Sequence, residues 1–194
     1  MISNIMIGGN VEFPENTGER IYMIPFTLES GLPEHVARWQ ATIDSMIADI
    51  DTDETMYLMV DQGLIKSGDS HRRGGAHIDG NWIASNDGLI ARYKTQFGGR
   101  HDTAGGHRVM GLSDESIILA SDVSACNAYS GEFIGSPKDG GDCSHIDISS
   151  ADVTRLEANK VYTGNVTMIH ESLQVEKDVM RTLVRINVPK HKFN

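Results

Sequence analysis

The stretch His71-Arg72-Arg73-Gly74-Gly75-Ala76-His77-Ile78-Asp79-Gly80-Asn81-Trp82 gathers the residue types best suited to chemistry, and His77-x-Asp79 stands at its centre. On an extended strand, residues i and i+2 project to the same side, so one imidazole and one carboxylate would leave the backbone together. These are two of the three donors in a 2-His-1-carboxylate centre, which holds Fe(II) on one face and leaves the opposite face open. The candidate for the third donor is His170, in Val166-Thr167-Met168-Ile169-His170-Glu171-Ser172. Arg181, eleven residues further on, is a candidate cationic partner.

Other histidine–aspartate pairs compete with this one: His145-x-Asp147 and His101-Asp102. Spacing separates them. A strand-rich domain needs several strands of about five or six residues, plus turns, between the first ligand pair and a later histidine. From Asp79 to His170 is 91 residues, which leaves that room, whereas from Asp147 to His170 is 23, which does not.

The elements that must position these groups read mostly as strands. Short extended pieces at Ile5–Ile7 and Glu19–Phe26 precede one helix, expected over residues 33 to 50. Its apolar positions Val36, Trp39, Ile43, Met46, Ile47 and Ile50 form one stripe at helical spacing. Pro33 suits a first helical turn. This helix is expected to pack on the outside of a sheet. Strands follow at Met56–Asp61, Ser116–Ser121, Val161–Tyr162, Val166–Ser172 and Val179–Val188, with weaker signals at Leu89–Tyr93 and Arg108–Met110. Ile146–Ile148 reads as short and extended, Ser149–Arg155 as a capped turn, and Ser130–Asp142 as a surface loop. In the last strand Arg181, Leu183, Arg185 and Asn187 share one face, and Met180, Thr182, Val184, Ile186 and Val188 share the other. The second set is a core face. The first faces either solvent or a barrel mouth, and a buried arginine there requires an anionic partner. Many short strands broken by Gly and Pro give a mainly β domain, a sandwich or jelly-roll barrel. One domain spans residues 1–194, with N-terminal strands and helix over 1–55 and a barrel core over 56–188.

Bulk properties narrow the function. The 194 residues carry a formal net charge of −10. That argues against a general grip on nucleic acid, which needs clustered cations. A local basic groove is still open to Arg72, Arg73, Arg100 and Arg108. Cys126 and Cys143 read as reduced thiols. Met1 to Val11 has neither a basic n-region nor a long apolar core, so a cytoplasmic protein with no membrane span is the expectation.

The order His77-x-Asp79, distant His170, then Arg181 resembles the Fe(II)/2-oxoglutarate-dependent dioxygenases. His170-Glu171-Ser172-Leu173-Gln174-Val175 through Arg181 looks most like the prolyl-hydroxylase and phytanoyl-CoA-hydroxylase branches, in which a basic residue follows the late histidine by ten or eleven positions. The resemblance covers roughly residues 56–188. It implies a double-stranded β-helix, the jelly-roll or cupin-like barrel. It implies His77, Asp79 and His170 as iron ligands, and Arg181 as the group that binds the distal carboxylate of 2-oxoglutarate, with Arg185 on the same face open for that role. Many members carry Ser or Thr two residues after the arginine, and this chain has Leu183 there. The implied activity is hydroxylation of a small-molecule or peptide substrate, with O2 and 2-oxoglutarate consumed and succinate released. Arg72, Arg73, Asn81, Trp82 and Tyr129 are the candidate substrate-pocket residues, although an ordinary surface or packing role is the commoner fate of each such residue. Two alternatives stand beside this reading. One is a non-catalytic jelly-roll binding or assembly module; the other is a cupin-like metalloenzyme that adds His71 or His107 as a ligand.

Overall fold

The computed structural model describes residues 1–72, 74–79, 82–84, 106–108, 115–135, 137–138 and 141–189. Strands β1 (Ile2–Ser3), β2 (Ile5–Asn10) and β3 (Arg20–Phe26) precede a 3₁₀ turn (Glu34–Trp39) and helix α1 (Gln40–Met46). Then come β4 (Met56–Ile65), β5 (Trp82–Ala84), β6 (Gly106–Arg108), β7 (Glu115–Ser121) and β8 (Cys126–Glu132). The chain closes with β9 (Asp152–Arg155), β10 (Lys160–Asn165), β11 (Ile169–Ser172) and β12 (Val179–Pro189).

The fold is mainly β and sandwich-like. A six-stranded antiparallel sheet runs β2-β10-β7-β12-β4-β3, and a four-stranded antiparallel sheet joins β1, β9 and β11 to β8. The short pair β5–β6 stands apart from both. Residues 76–78 extend the smaller sheet beyond β11, and residues 141–143 lie on their far side. From β4 onward the chain therefore alternates between sheets. β4 is in the large sheet, 76–78 in the small, β7 in the large, β8 and β9 in the small, β10 in the large, β11 in the small, and β12 in the large.

Three layers result, because the outer face of the large sheet is apolar. Met56, Leu58 and Val60 of β4, Ile118 and Ala120 of β7, and Val184, Ile186 and Val188 of β12 bury against Val36, Trp39, Ile43, Met46 and Ile47. The indole N–H of Trp39 donates to Glu19 Oε2 at 3.0 Å, which satisfies the one polar atom of a fully buried ring. Between the sheets lies a second cluster: Ile117, Leu119, Cys126, Ala128, Leu156, Tyr162 and Met168. No helix among the described residues is long and apolar enough to cross a membrane.

Several expectations are corrected here. The apolar stripe over 33–50 does pack outside the sheet, but it is carried by a 3₁₀ turn followed by a two-turn α-helix. The last turn has no basic residue, and Asp49, Asp51 and Asp53 follow it, an unfavourable charge at a helix C-terminus. Ser130–Asp142 is not a plain surface loop, because β8 runs to Glu132 and Asp142 bridges to His77. Asp152–Arg155 is a strand rather than a capped turn, recruited by pairing with Asn127–Ser130. Ile146–Ile148 forms no strand, and Val166–Met168 precedes β11 in a turn. The expected strand at Leu89–Tyr93 lies outside the described residues.

Candidate metal centre

The ligand segment is set by what its other face buries. Ala76 and Ile78 pack into a cluster with Phe133, Cys143, Ile146 and Ile169 on the outer side of the small sheet. The alternation of an extended chain then turns His77 and Asp79 inward. Backbone bonds clamp the segment from both edges. His77 N–H donates to His170 O and His170 N–H to His77 O, each at 2.9 Å; Ile78 N–H donates to Gly141 O at 2.8 Å and Cys143 N–H to Ala76 O at 2.9 Å. Gly141 adopts φ +78°, and a Cβ there would stand 2.1 Å from the Ile78 carbonyl oxygen, so the approach admits only glycine.

His170 is thus the direct cross-strand neighbour of His77, and the ring centroids are 4.5 Å apart. His77 Nδ1 lies 2.7 Å from Gly75 O, and His170 Nδ1 lies 3.1 Å from Met168 O. A carbonyl can only accept, so each Nδ1 carries the proton and, in the neutral ring, leaves Nε2 as the lone-pair nitrogen. Such a partner fixes the tautomer and the ring angle of a metal-binding histidine. One ligand atom from each of His77, Asp79 and His170 lies within 4.8 Å of the other two. Among the described residues this is the one group of three or more His, Cys, Asp or Glu side chains that could hold a metal ion. Two imidazole nitrogens and one carboxylate oxygen, with both histidines buried, form a donor set that could hold a divalent transition ion.

The arginines of β12 are inside. Arg181 is fully buried and Arg185 nearly so, which answers the choice between solvent and interior. They differ in what they hold. Arg185 Nη1 donates to Asp79 Oδ2 at 2.8 Å, and its Nη2 lies 3.7 Å from Met23 Sδ. Arg181 Nε donates to Ser121 Oγ at 2.9 Å and its Nη2 faces Cys126 Sγ at 3.7 Å, while its Nη1 is buried without a hydrogen-bond partner. Among the described residues no carboxylate pairs with Arg181.

The structure brings together His77, Asp79, His170 and Arg185 and places Arg181 four residues from Arg185 on the same face of β12, whereas Tyr129 and Arg72 do not join the trio. Tyr129 pairs across from Ile169, on the outer face of the small sheet, and its hydroxyl donates to Glu171. Burial first, then that bond, pushes its phenol above the ordinary range. Tyr129 does not join the histidines, because Ile169 and His170 face opposite ways. Arg72 lies at the rim, 3.2 Å from Asp61 Oδ2. Arg73 and Asn81 are outside the described residues, and Trp82 is described only as backbone of β5. His145 and Asp147 lie in a turn region and do not join the trio. Ser121, Met23 and Gly141, and Cys126 beyond its reading as a reduced thiol, carry no sequence signal for this site, since each serves it only through tertiary contact. Comparison with protein-family models, curated proteins and solved structures finds no match.

Proposed function

We propose that this protein is a non-haem Fe(II)/2-oxoglutarate-dependent oxygenase that hydroxylates a small-molecule or peptide substrate. The observation that carries the reading is the trio His77, Asp79 and His170, together with a fully buried Arg181 that shares a face of β12 with Arg185 and lacks an anionic partner among the described residues. The alternation of strands between the two sheets supports a double-stranded β-helix as the finer description of the sandwich.

Each side chain has a stated part. His77 and His170 would supply Nε2 to the metal, steered by their Nδ1–H bonds to backbone carbonyls. Asp79 would supply a carboxylate oxygen, held in place by Arg185. With Arg185 engaged there, Arg181 is the better anchor for the distal carboxylate of the co-substrate, and Ser121 Oγ orients its guanidinium. Arg181 and Arg185 stand four residues apart on β12, roughly 13 Å along the strand. The buried Leu183 between them offers an apolar floor for the methylenes of a short diacid. Bound iron and 2-oxoglutarate would supply the oxidation, in which O2 is reduced, the co-substrate is decarboxylated to succinate and CO2, and one oxygen atom enters the substrate. The protein's own contribution is a fixed ligand set, an anchored co-substrate and a screened interior.

The test is anaerobic titration of the purified protein with Fe(II) and then 2-oxoglutarate. The reading expects a weak visible charge-transfer band that saturates with co-substrate, and succinate release once O2 is admitted. No band and no succinate would refute it.

A further inference from the structure

Strand β3, which ends the large sheet, carries a bulge in the same row as Arg185. Ile21 is in register with Val60 of β4 and Ile24 with Leu58, so Tyr22 and Met23 together oppose Met59. Met59 is in turn in register with Arg185 of β12. The extra residue changes which way the side chains point. A regular strand would send Ile21 and Met23 to one face and Tyr22, Ile24 and Phe26 to the other. With the bulge, Ile21, Ile24 and Phe26 all pack into the core beneath α1, and Met23 turns inward to join Tyr57.

The bulge strains one residue. Met23 has φ 52°, in the left-handed region that glycine occupies most easily, yet its side chain is long and the residue is only 1% exposed. Strain of this kind persists only where the surrounding structure holds it, and bulges beside functional sites serve to re-aim a side chain. Met23 is aimed at Arg185, whose Nη2 lies 3.7 Å from the thioether sulfur. Arg185 has few other restraints. Its Nη1 donates to Asp79 Oδ2 at 2.8 Å, and its buried Nε has no hydrogen-bond partner among the described residues. So long a side chain must be held still if the carboxylate it grips is to keep one orientation as a ligand. A thioether suits that task. It fills the space and accepts only weakly, so it does not compete with Asp79 for the guanidinium.

We propose that Met23 is a positioning residue for the metal centre, seating Arg185 so that Arg185 fixes Asp79. The proposal rests on the reading of His77, Asp79 and His170 as metal ligands, and it holds whatever the co-substrate or substrate.

The test measures anaerobic Fe(II) affinity, and the visible spectrum of the Co(II)-loaded protein, for wild type, Met23→Leu, Met23→Gln, Arg185→Met and the double variant Met23→Leu/Arg185→Met. Leu keeps the volume without an acceptor, and Gln keeps the length and supplies one. Neither is β-branched, so the left-handed backbone is burdened alike in both. Met23→Leu is expected to bind Fe(II) about three- to tenfold more weakly, the worth of one modest hydrogen bond. It should also alter the Co(II) spectrum while melting with the wild type. Met23→Gln should return to wild-type affinity. With Arg185 gone, Met23→Leu should lose nothing further, because residues acting through one contact are not additive. Wild-type affinity and spectrum in Met23→Leu overturns the proposal. So does a loss of the same size with and without Arg185, which would make Met23 a packing residue. Equal weakening by Leu and Gln overturns it too, and that contrast decides alone should Arg185→Met fold poorly. Failure of the wild-type protein to bind Fe(II) or Co(II) overturns the metal centre itself, and the proposal with it.

Discussion

Replacing Arg181 by Met yields two effects of opposite sign, and both follow from one observation. The guanidinium is fully buried, its Nη1 has no hydrogen-bond partner, and its firmest contact is one hydrogen bond to Ser121 Oγ. A buried charge that is incompletely compensated destabilises the fold, and exchanging such groups for apolar residues of similar volume is often neutral or stabilising by about 1–4 kcal/mol. In a domain of this size each kcal/mol moves the melting temperature by roughly 2–4 °C. Arg181→Met is therefore expected to melt at the wild-type temperature or several degrees above it, measured by circular dichroism without metal or co-substrate. Binding moves the other way. A hydrogen bond between charged groups contributes about 1.5–3 kcal/mol, and a guanidinium presents two to a carboxylate. Losing both costs roughly 3–6 kcal/mol, or about two to four orders of magnitude in 2-oxoglutarate affinity. Arg181→Lys keeps the charge but not the planar fork, and should fall between the two. The reasoning is refuted by a variant that melts about 5 °C or more below wild type while holding 2-oxoglutarate within a few-fold of wild-type affinity. That pattern would make Arg181 a structural residue whose ligand lies elsewhere.

The same accounting of buried charge separates two metal ligands. Asp79→Ala removes a donor and also strips Arg185 of its carboxylate at 2.8 Å; breaking a buried pair in this way costs about 3–5 kcal/mol. His170→Ala removes a donor but leaves no charge behind. Both should abolish Fe(II) binding, and Asp79→Ala should unfold at clearly lower urea; matching midpoints would show that the Arg185–Asp79 pair is not an important buried pair. Gly141→Ala places a Cβ against the Ile78 carbonyl, where 2.1 Å cannot be tolerated. The ligand segment should shift, and Fe(II) affinity should drop with both histidines still present; unchanged affinity would mean that residues 141–143 do not clamp the site. Asp61 gives a pH signature. Its folded carboxyl is held below the ordinary range, chiefly by His71, so its stabilisation is present above the unfolded value of about 3.9 and lost as pH falls through the lowered folded value. The stability difference between wild type and Asp61→Asn should shrink as pH falls below about pH 4. Urea midpoints against pH measure it, and a difference constant down to about pH 3 would contradict the assignment.

Part of this site could be read in the chain because it obeys a period of two. His77 and Asp79 share a side wherever the segment is extended, and the split of β12 into Arg181-Leu183-Arg185-Asn187 and Met180-Thr182-Val184-Ile186-Val188 is the same rule. The partner of His77 could not be read so directly. His170 becomes its neighbour through a two-bond bridge between segments 93 residues apart, and no local pattern encodes that register. Nor could β8, since Cys126-Asn127-Ala128-Tyr129-Ser130-Gly131-Glu132 has almost no intrinsic strand preference and is extended because three neighbours supply its bonds.

The arginine face of β12 shows most plainly why pattern alone stopped short. Sequence reasoning correctly found that one face was a core, and it is: Val184, Ile186 and Val188 lie beneath α1. But the sheet is covered on both sides, so a polar face on its central strand does not point to water. Arg181 and Arg185 occupy the space between the sheets, where ordinary sandwiches place aliphatic side chains. One of the two guanidiniums there lacks a carboxylate among the described residues, and the proposed oxygenase function would supply one. An anionic ligand is the simplest compensation. The polar stripe, which on sequence grounds favours an exposed surface, is therefore the strongest functional signal on the strand.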